Sequence, residues 1–393
     1  MKHIFTIVLA FSWSIYSSAY AQPYYPKTDN EILETLPARG KSWFEIRALR
    51  KRVESNPNDL PKALQLVRRY IELGRAESDP RYYGYAEAVL TPWMKTAQPT
   101  AEVLTLRATL FQNRHEFPAA LDNLNKALAQ QPRLAQAWLT RALIQEVQGN
   151  YAAALNSCLP LLKLAPPLTA RVCINSTLSL SGQIDSAYQQ LNRAVQIAQT
   201  EQPQDKQWAW IALAEIAERK GDAEAAEQHY RKAFQLGISN GYLLATYADF
   251  LLDHKRYDEV IKLLQNETRA DGLLLRLTMA EQQLNLPEAD THIETLKARF
   301  AASRMRGDSS HQGDEARFML HLLNKPDQAL ELAQMNWSVQ REPRDARILL
   351  EAALASGKVS REAQPTLEFL AQSRLQDARL QPLIDRFKPK KIS

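Results

Sequence analysis

The sequence has few glycines, only two cysteines and, after its first residues, no long apolar run. Its 393 residues include 12 glycines, mostly at predicted turns, which agrees with an almost wholly helical chain. Beyond the N-terminal segment, no stretch approaches the ~18 uninterrupted apolar residues that a transmembrane helix requires. We therefore expect no membrane-spanning helix in the rest of the chain.

The N-terminal segment has the parts of a secretory signal peptide. A cationic start precedes an apolar run at residues 4–15, and Ala19-Tyr20-Ala21 matches the small-x-small pattern that signal peptidase reads. The alternative is an uncleaved membrane anchor, for which this run is short. No cysteine lies near the cleavage point, so a lipid anchor is not expected. Cleavage after residues 1–21 predicts a periplasmic or secreted protein with no stable membrane anchor.

The net charge is small and evenly spread. It is formally +5 at pH 7, with basic and acidic residues interspersed along the chain. This charge distribution is not typical of a nucleic-acid-binding protein, so no nucleic-acid partner is expected. The basic tail at residues 388–391 is interpreted as a solvated end rather than a membrane-binding patch.

The two cysteines, Cys158 and Cys173, are fifteen residues apart. An exported protein meets oxidising conditions, in which disulfides form and persist. The two residues fall on helices of neighbouring hairpins that should pack together. A disulfide and a pair of buried thiols both remain open, and either would be structural rather than catalytic.

Two consecutive segments, residues 101–134 and 135–168, carry the same pattern 34 residues apart. The matched pairs are Leu104 and Trp138, Ala108 and Ala142, Phe117 and Tyr151, Ala120 and Ala154, Leu124 and Cys158, and Pro132 and Pro166. The small residues lie where two helices must approach closely, and the prolines lie where a helix must end. Such a period predicts a stack of helical hairpins, each burying its apolar face against its neighbours.

These residues resemble the tetratricopeptide repeat (TPR) family. The resemblance covers most of residues 59–374 and is strongest over 101–168 and 207–267. It implies an all-α fold, a right-handed superhelical solenoid of antiparallel helix pairs, whose concave groove binds a protein or peptide. Some family members clamp a partner's C-terminal carboxylate with lysine and asparagine. In this sequence those positions hold other residues, such as Glu102 and Thr105, and the carboxylate clamp is therefore missing.

The resemblance divides the chain into segments that differ in how well they match the repeat. They are a signal peptide (1–21), an extended leader with one helix (22–58), a degenerate helical hairpin (59–100), the TPR repeats (101–271), divergent TPR-like hairpins (272–374), and a capping helix with a basic tail (375–393).

The sequence carries no motif for catalysis, a cofactor or a metal. Its histidines form no i, i+4 pair and no dense cluster with cysteine or aspartate. A glycine-rich phosphate loop and a nucleophile elbow are also absent. The region around one loop allows two weaker interpretations, which are zinc ligation by His311 and His321 and adhesion through Arg306-Gly307-Asp308. We expect no enzyme activity, no cofactor and no bound metal.

Several residues are candidate contacts to a partner. They are Trp208, Tyr242, Glu215, Asp249, Arg107, Arg141, Trp337 and Arg341. The first four would project from the concave face toward an extended peptide. Arg107, Arg141 and Asn175 share one repeat position and would align as a polar ladder. Either the arginine stems pack against the protein while their guanidinium groups reach water or carboxylates, or the ladder binds acidic groups of a partner.

Two irregular stretches are further candidates for a binding surface. Trp337 and Arg341 belong to a highly charged junction, which is either a salt-bridged connection or a surface for a partner. An aromatic patch at residues 81–85, with Trp93, is typical of both core packing and an interface anchor.

The sequence therefore predicts an exported scaffold that binds a protein or peptide partner in its concave groove, in a role such as envelope assembly. One alternative is an accessory protein of polysaccharide export, which would show aromatic platforms repeated along the groove. An enzyme with a pocket near residues 305–345 is the other alternative.

Overall fold

The computed structural model describes residue 28 and residues 41–198, 201–308, 311–358 and 362–388. The predicted signal peptide, most of the leader and the last residues of the tail lie outside this part. The described part contains 21 α-helices, one π-helical turn (Phe318–Leu322) and no strand, which confirms the predicted all-α class.

The helices follow one another with short connections. In chain order they are α1 (Lys41–Ser55), α2 (Leu60–Glu77), α3 (Arg81–Met94), α4 (Ala101–Asn113), α5 (Phe117–Gln130), α6 (Ala135–Val147), α7 (Tyr151–Cys158), α8 (Leu161–Leu164), α9 (Pro167–Leu180), α10 (Ile184–Ile197), α11 (Pro203–Lys220), α12 (Ala223–Gln235), α13 (Gly241–Asp253), α14 (Tyr257–Leu264), α15 (Asp271–Gln283), α16 (Glu288–Met305), α17 (Gln312–Arg317), α18 (Pro326–Val339), α19 (Pro343–Ala355), α20 (Gln364–Ser373) and α21 (Gln381–Phe387).

The chain forms two compact units, residues 1–47 and 48–393. The first unit contains the start of α1, and the second contains every later helix. None of the described helices combines the length and apolar character that crossing a bilayer requires.

Alanines allow the paired helices of the second unit to pack closely. Ala108 on α4 contacts the same core as Ala120 and Ala127 on α5, and all three are fully buried. A methyl group is the largest side chain that permits this approach, and the bulky residues between hairpins fill the remaining space. The 34-residue pattern therefore marks close helix contacts, as its spacing predicts.

The hydrophobic core runs along the stack. Its clusters span residues 101–144, 142–174, 168–216, 211–322 and 316–380, and each overlaps the next along the chain. Each hairpin therefore buries its apolar face mainly against its neighbours, which is the organisation of a solenoid.

The cysteines form a disulfide between α7 and α9, with a Cα–Cα distance of 5.7 Å. Both residues are buried, so the bond joins two successive hairpins inside the core. Of the two states that the sequence leaves open, the structure has the disulfide.

The C-terminal helices return to the hairpins that precede them. We call residues 340–358 and 362–380 the return segment. Within it, the backbone N–H of Arg341 donates to the carbonyl of Val147 at 2.7 Å. Further along, the N–H of Ala378 donates to the carbonyl of Arg219 at 2.8 Å. The return segment thus covers the ends of α6 and α11, and the stack is not an open trough along its whole length.

Candidate functional site

The inner helices α11, α13 and α15 carry a ladder of polar contacts. The hydroxyl of Tyr242 on α13 donates to Glu215 Oε1 on α11 at 2.5 Å. One repeat later, Arg276 Nη2 on α15 donates to Asp249 Oδ2 on α13 at 2.7 Å. Glu215 and Asp249 are 34 residues apart, as are Tyr242 and Arg276. The same two repeat positions therefore form both contacts, which we call the Tyr242–Glu215 rung and the Asp249–Arg276 rung.

The Tyr242–Glu215 rung lies in an accessible recess. Tyr242 keeps 44% of its surface exposed, although burial raises the pKa of its hydroxyl well above the usual range. Burial also raises the pKa of the Glu215 carboxyl, against the hydrogen bond from Tyr242. A side chain that is accessible to water yet surrounded by protein lines a recess. This rung therefore presents an aromatic ring held in place by a hydrogen bond.

The Asp249–Arg276 rung has a third partner, supplied by α17. Arg276 is only 3% exposed, and Arg317 on α17 donates to Asp249 Oδ1 at 2.8 Å. Burial by itself would raise the pKa of Asp249, but the two arginines outweigh burial and hold the pKa well below its usual range. The Asp249 carboxylate is thus already bound by the chain's own arginines.

Asp249 and Arg317 line a cavity of about 300 Å³. Its charged side chains bind one another. Arg347 contacts Asp253 at 2.7 Å and Glu351 at 2.8 Å, and His321 contacts Glu351 at 3.2 Å. Paired charges of this kind stabilise the docking of helices and leave few groups for a ligand. We interpret this cavity as part of the contact between α19 and the repeats.

Trp337 and Arg341 line a second cavity of about 420 Å³, between α18 and α20. Phe369 of α20 joins them there. Its ring meets the Trp337 ring edge-on, with centroids 5.4 Å apart, and the Arg341 guanidinium lies 5.6 Å from its centroid. The structure therefore brings together the two residues that sequence analysis assigned to a charged junction.

The remaining candidates are largely packed against the protein. Trp208 is partly buried against the clusters that contain Leu168 and Cys173. Arg107 lies over Phe111, at 5.1 Å from the ring centroid. Arg141 lies over Trp138 at 4.3 Å and donates to Ser157 Oγ and to Asn125 Oδ1. Aromatic stacking and local hydrogen bonds thus account for Arg141, whereas Arg107 stacks on Phe111 and its buried Nε has no hydrogen-bond partner in the described part of the chain.

Sequence analysis missed Arg276 and Arg317, which neutralise Asp249. The repeat period contained a signal for Arg276, because it occupies the same position as Tyr242 one repeat later. No such signal marks Arg317, whose contact spans 68 residues of sequence.

No cluster of metal-ligating side chains occurs among the residues that the structure describes. His311 lies 3.8 Å from Asp308, whereas His321 contacts Glu351. The two histidines thus have separate acidic neighbours.

The stacked hairpins and the inner ladder define the class of the protein as a helical-repeat solenoid. A family model described as tetratricopeptide repeat matches residues 176–291. A TPR repeat-containing protein of Rhizobium etli is 28% identical over 138 residues, which is 34% of this chain and 64% of that protein. The chain thus spans less than two thirds of that relative. Together with the repeats, these matches support a TPR family protein, as the sequence resemblance implies.

One solved structure superposes well enough to show the same fold. The crystal structure of the APC/C hetero-tetramer Cut9–Hcn1 superposes with a TM-score of 0.51 at 14% identity, covering 88% of this chain and 67% of that chain. A Rap protein complexed with competence and sporulation factor has a TM-score of 0.47 at 14% identity, covering 88% and 97%. The TPR fold suggests a protein-interaction scaffold, and members of the family are typically not enzymes.

Proposed function

We propose that this protein is an exported TPR scaffold that binds a polypeptide partner at the recess formed by Tyr242 and Glu215. The observation that carries the proposal is the accessible rung of the inner ladder. Tyrosine is enriched at binding hot spots because it buries a large surface at little cost in conformational entropy. Here the hydrogen bond to Glu215 orients the ring before a partner arrives.

Contacts within the chain restrict where a partner can dock. Asp249 is bound by Arg276 and Arg317, and the ends of α6 and α11 are covered. The partner would thus contact the stretch of α11 and α13 around Tyr242 rather than the whole groove. An extended peptide or a single helix fits a contact of this size.

Export is the second part of the proposal. It is supported by the signal-like pattern of residues 1–21 and by the disulfide, since disulfides persist mainly in oxidising compartments. A role in envelope assembly is the finer hypothesis. Mass spectrometry of the protein purified from its host tests the export step. A mature N-terminus at Gln22 is expected, and a cytosolic protein with residues 1–21 attached would contradict it.

Polysaccharide binding would require aromatic platforms repeated along the groove. The contacts of the two candidate rings do not support such a series. Trp208 is partly buried against the core, so of the two candidate rings only Tyr242 is exposed, with 44% of its surface accessible. A polypeptide therefore remains the proposed partner.

The docking site can be tested by comparing partners captured from envelope extracts. Tyr242→Ala removes the accessible ring. Tyr85→Ala serves as the matched variant, because Tyr85 is 52% exposed and belongs to the aromatic patch on α3. We expect Tyr242→Ala to reduce capture of a specific partner roughly tenfold or more, as loss of a hot-spot residue does. Loss with Tyr85→Ala alone would place the interface on the patch instead.

A further inference from the structure

We propose that the polypeptide partner inserts an arginine side chain into the recess, where its guanidinium binds Glu215 and lies against the ring of Tyr242. This inference rests on the proposed function and deepens it, because it gives the chemistry of the group that the recess binds. The neighbouring rung of the same ladder, where the chain supplies its own arginines, provides the pattern.

At that neighbouring rung, the Asp249 carboxylate has a donor on each of its oxygens. Arg276, from the next inner helix, donates to Oδ2 at 2.7 Å. Arg317 comes from α17, outside the inner ladder, and donates to Oδ1 at 2.8 Å. A carboxylate at this repeat position is therefore completed by a guanidinium that reaches it from another part of the chain.

Glu215 occupies the same repeat position but has only the first kind of donor. Tyr242, which stands at the position of Arg276, donates to Glu215 Oε1. Within the described residues, Glu215 Oε2 accepts no hydrogen bond and the carboxylate makes no ion pair. The guanidinium that would correspond to Arg317 is the component that the described part of the chain does not supply here.

The charges around Glu215 favour one more cation. Glu146 and Glu342 are neighbouring carboxylates, and Arg219 and Arg344 are the neighbouring guanidinium groups. Arg344 is bound to Glu342 at 2.6 Å, so Arg219 is left to balance both Glu215 and Glu146. Burial raises the pKa values of these two carboxyls, and neither arginine reverses that effect. A bound cation would compensate the excess of negative charge.

The ring of Tyr242 favours an arginine as the source of this cation. The ring is accessible and its hydroxyl is held at Glu215, so a guanidinium bound to Oε2 would lie beside it. A guanidinium can stack on an aromatic ring while it donates hydrogen bonds, whereas an ammonium group acts as a compact point charge. The chain shows the same combination at Arg141, which lies over the Trp138 ring and donates to Ser157 Oγ.

Selection from a random peptide library displayed on phage tests the chemistry of the partner without assuming its sequence. The purified, disulfide-bonded protein is the target, and peptides that also bind Tyr242→Ala are removed. The remaining peptides are synthesised with arginine and with citrulline in its place, which keeps the shape of the side chain but removes its charge. Isothermal titration calorimetry then measures both forms on the parent and on two variants.

Glu215→Gln is the decisive variant, because its amide oxygen can still accept the Tyr242 hydroxyl while the charge is lost. We expect the peptides that require Tyr242 to contain arginine, and citrulline to weaken their binding at least about tenfold. In Glu215→Gln the citrulline substitution should cost much less. Glu294→Gln, in an exposed ion pair with Lys297, is the matched control and should bind as the parent does. Circular dichroism verifies that each variant folds.

The possible failures are distinguishable. Peptides that require Tyr242 but lack arginine, or that bind equally well with citrulline, would overturn the arginine assignment and leave the docking site standing. A citrulline penalty of the same size in the parent and in Glu215→Gln would overturn the pairing with Glu215. A library that yields no peptide dependent on Tyr242 would refute the proposed docking site together with this inference.

Discussion

Glu218 is a buried carboxylate between two partners. It accepts a hydrogen bond from the hydroxyl of Tyr230 and contacts Arg379 Nη1 of the return segment at 2.5 Å. Burial raises the pKa of Glu218 to about 7, although Arg379 and the tyrosine hydroxyl act in the opposite direction. The protonation of one side chain is therefore coupled to the folding of the chain.

Replacing Glu218 should weaken the dependence of stability on pH. Its folded pKa of about 7 exceeds the usual glutamate pKa of 4.5, so the folded state binds more protons than the unfolded state between these values. Its contribution to stability is thus present below pH 4.5 and is lost as the pH rises through about 7. We expect Glu218→Gln to reduce the fall in the free energy of unfolding across this range, by about 1–2 kcal/mol. Denaturant unfolding of the parent and of Glu218→Gln at several pH values measures this change in the free energy of unfolding.

In Glu218→Gln, the slope of the free energy of unfolding against pH should be reduced rather than abolished. Burial also raises the pKa values of Glu146 and Asp345 to about 7, so these groups titrate in the same range. Glu294→Gln, in an exposed ion pair with Lys297, is the control. Identical slopes for the parent and Glu218→Gln would contradict the assignment.

Turn glycines matter at the scale of the helical hairpin. Gly149 lies between α6 and α7 at a φ of +76°, where residues with a side chain are strained. A Cβ atom there would also lie 2.5 Å from Phe369 Cζ of α20. This turn thus needs glycine both for its backbone and for the approach of the C-terminal helices.

Two alanine substitutions separate these requirements. Gly237 has a φ of +66° but nothing within 4 Å of an added Cβ, so Gly237→Ala tests backbone strain alone. We expect it to cost about 1 kcal/mol. Gly149→Ala should cost about 1–3 kcal/mol more, because Phe369 must move. Thermal or denaturant unfolding measures the difference, and equal costs would show that the Phe369 contact is not tight.

The disulfide stabilises the connection between α7 and α9. Cross-linking across a fifteen-residue separation is expected to add about 3 kcal/mol, mainly by restricting the unfolded chain. The double variant Cys158→Ala, Cys173→Ala should unfold at correspondingly lower denaturant. Adding a reductant should destabilise the parent but not the double variant. A parent that is equally stable with and without a fully reduced bond would contradict this expectation.

The return segment decides the architecture at the scale of the whole second unit. It contacts hairpins that are far away in sequence, as in the bond between Gln340 and His115, which are 225 residues apart. Arg379 contributes by pairing with Glu218. The chain therefore uses its C-terminal helices to cover part of the stack that they extend.

Removing Arg379 should loosen this contact. Arg379→Ala leaves Glu218 buried without its cation, which we expect to cost on the order of 2 kcal/mol. The amide of Ala378 donates to the carbonyl of Arg219, so its hydrogen exchange reports the contact. Exchange there should accelerate more than tenfold, whereas Arg386→Ala should change it little. Unchanged exchange in Arg379→Ala would show that the pair does not hold the segment.

Much of the fold follows from short-range patterns. The alanines at Ala108 and Ala120, one on each helix of a pair, are fully buried in the structure, as their repeat positions indicate. The sequence also placed Tyr242 and Glu215 on one inner surface, and the structure joins them by a hydrogen bond. It did not distinguish this rung from the one at Asp249.

The sequence by itself determined the helices, their pairing and the all-α class, because a 34-residue period records contacts that each hairpin makes with its neighbours. Only the tertiary structure decided which inner residues stay accessible. Arg317 reaches Asp249 across 68 residues, and the return segment reaches still further. Such contacts depend on how the whole stack curves, and no local pattern of side chains encodes that curvature.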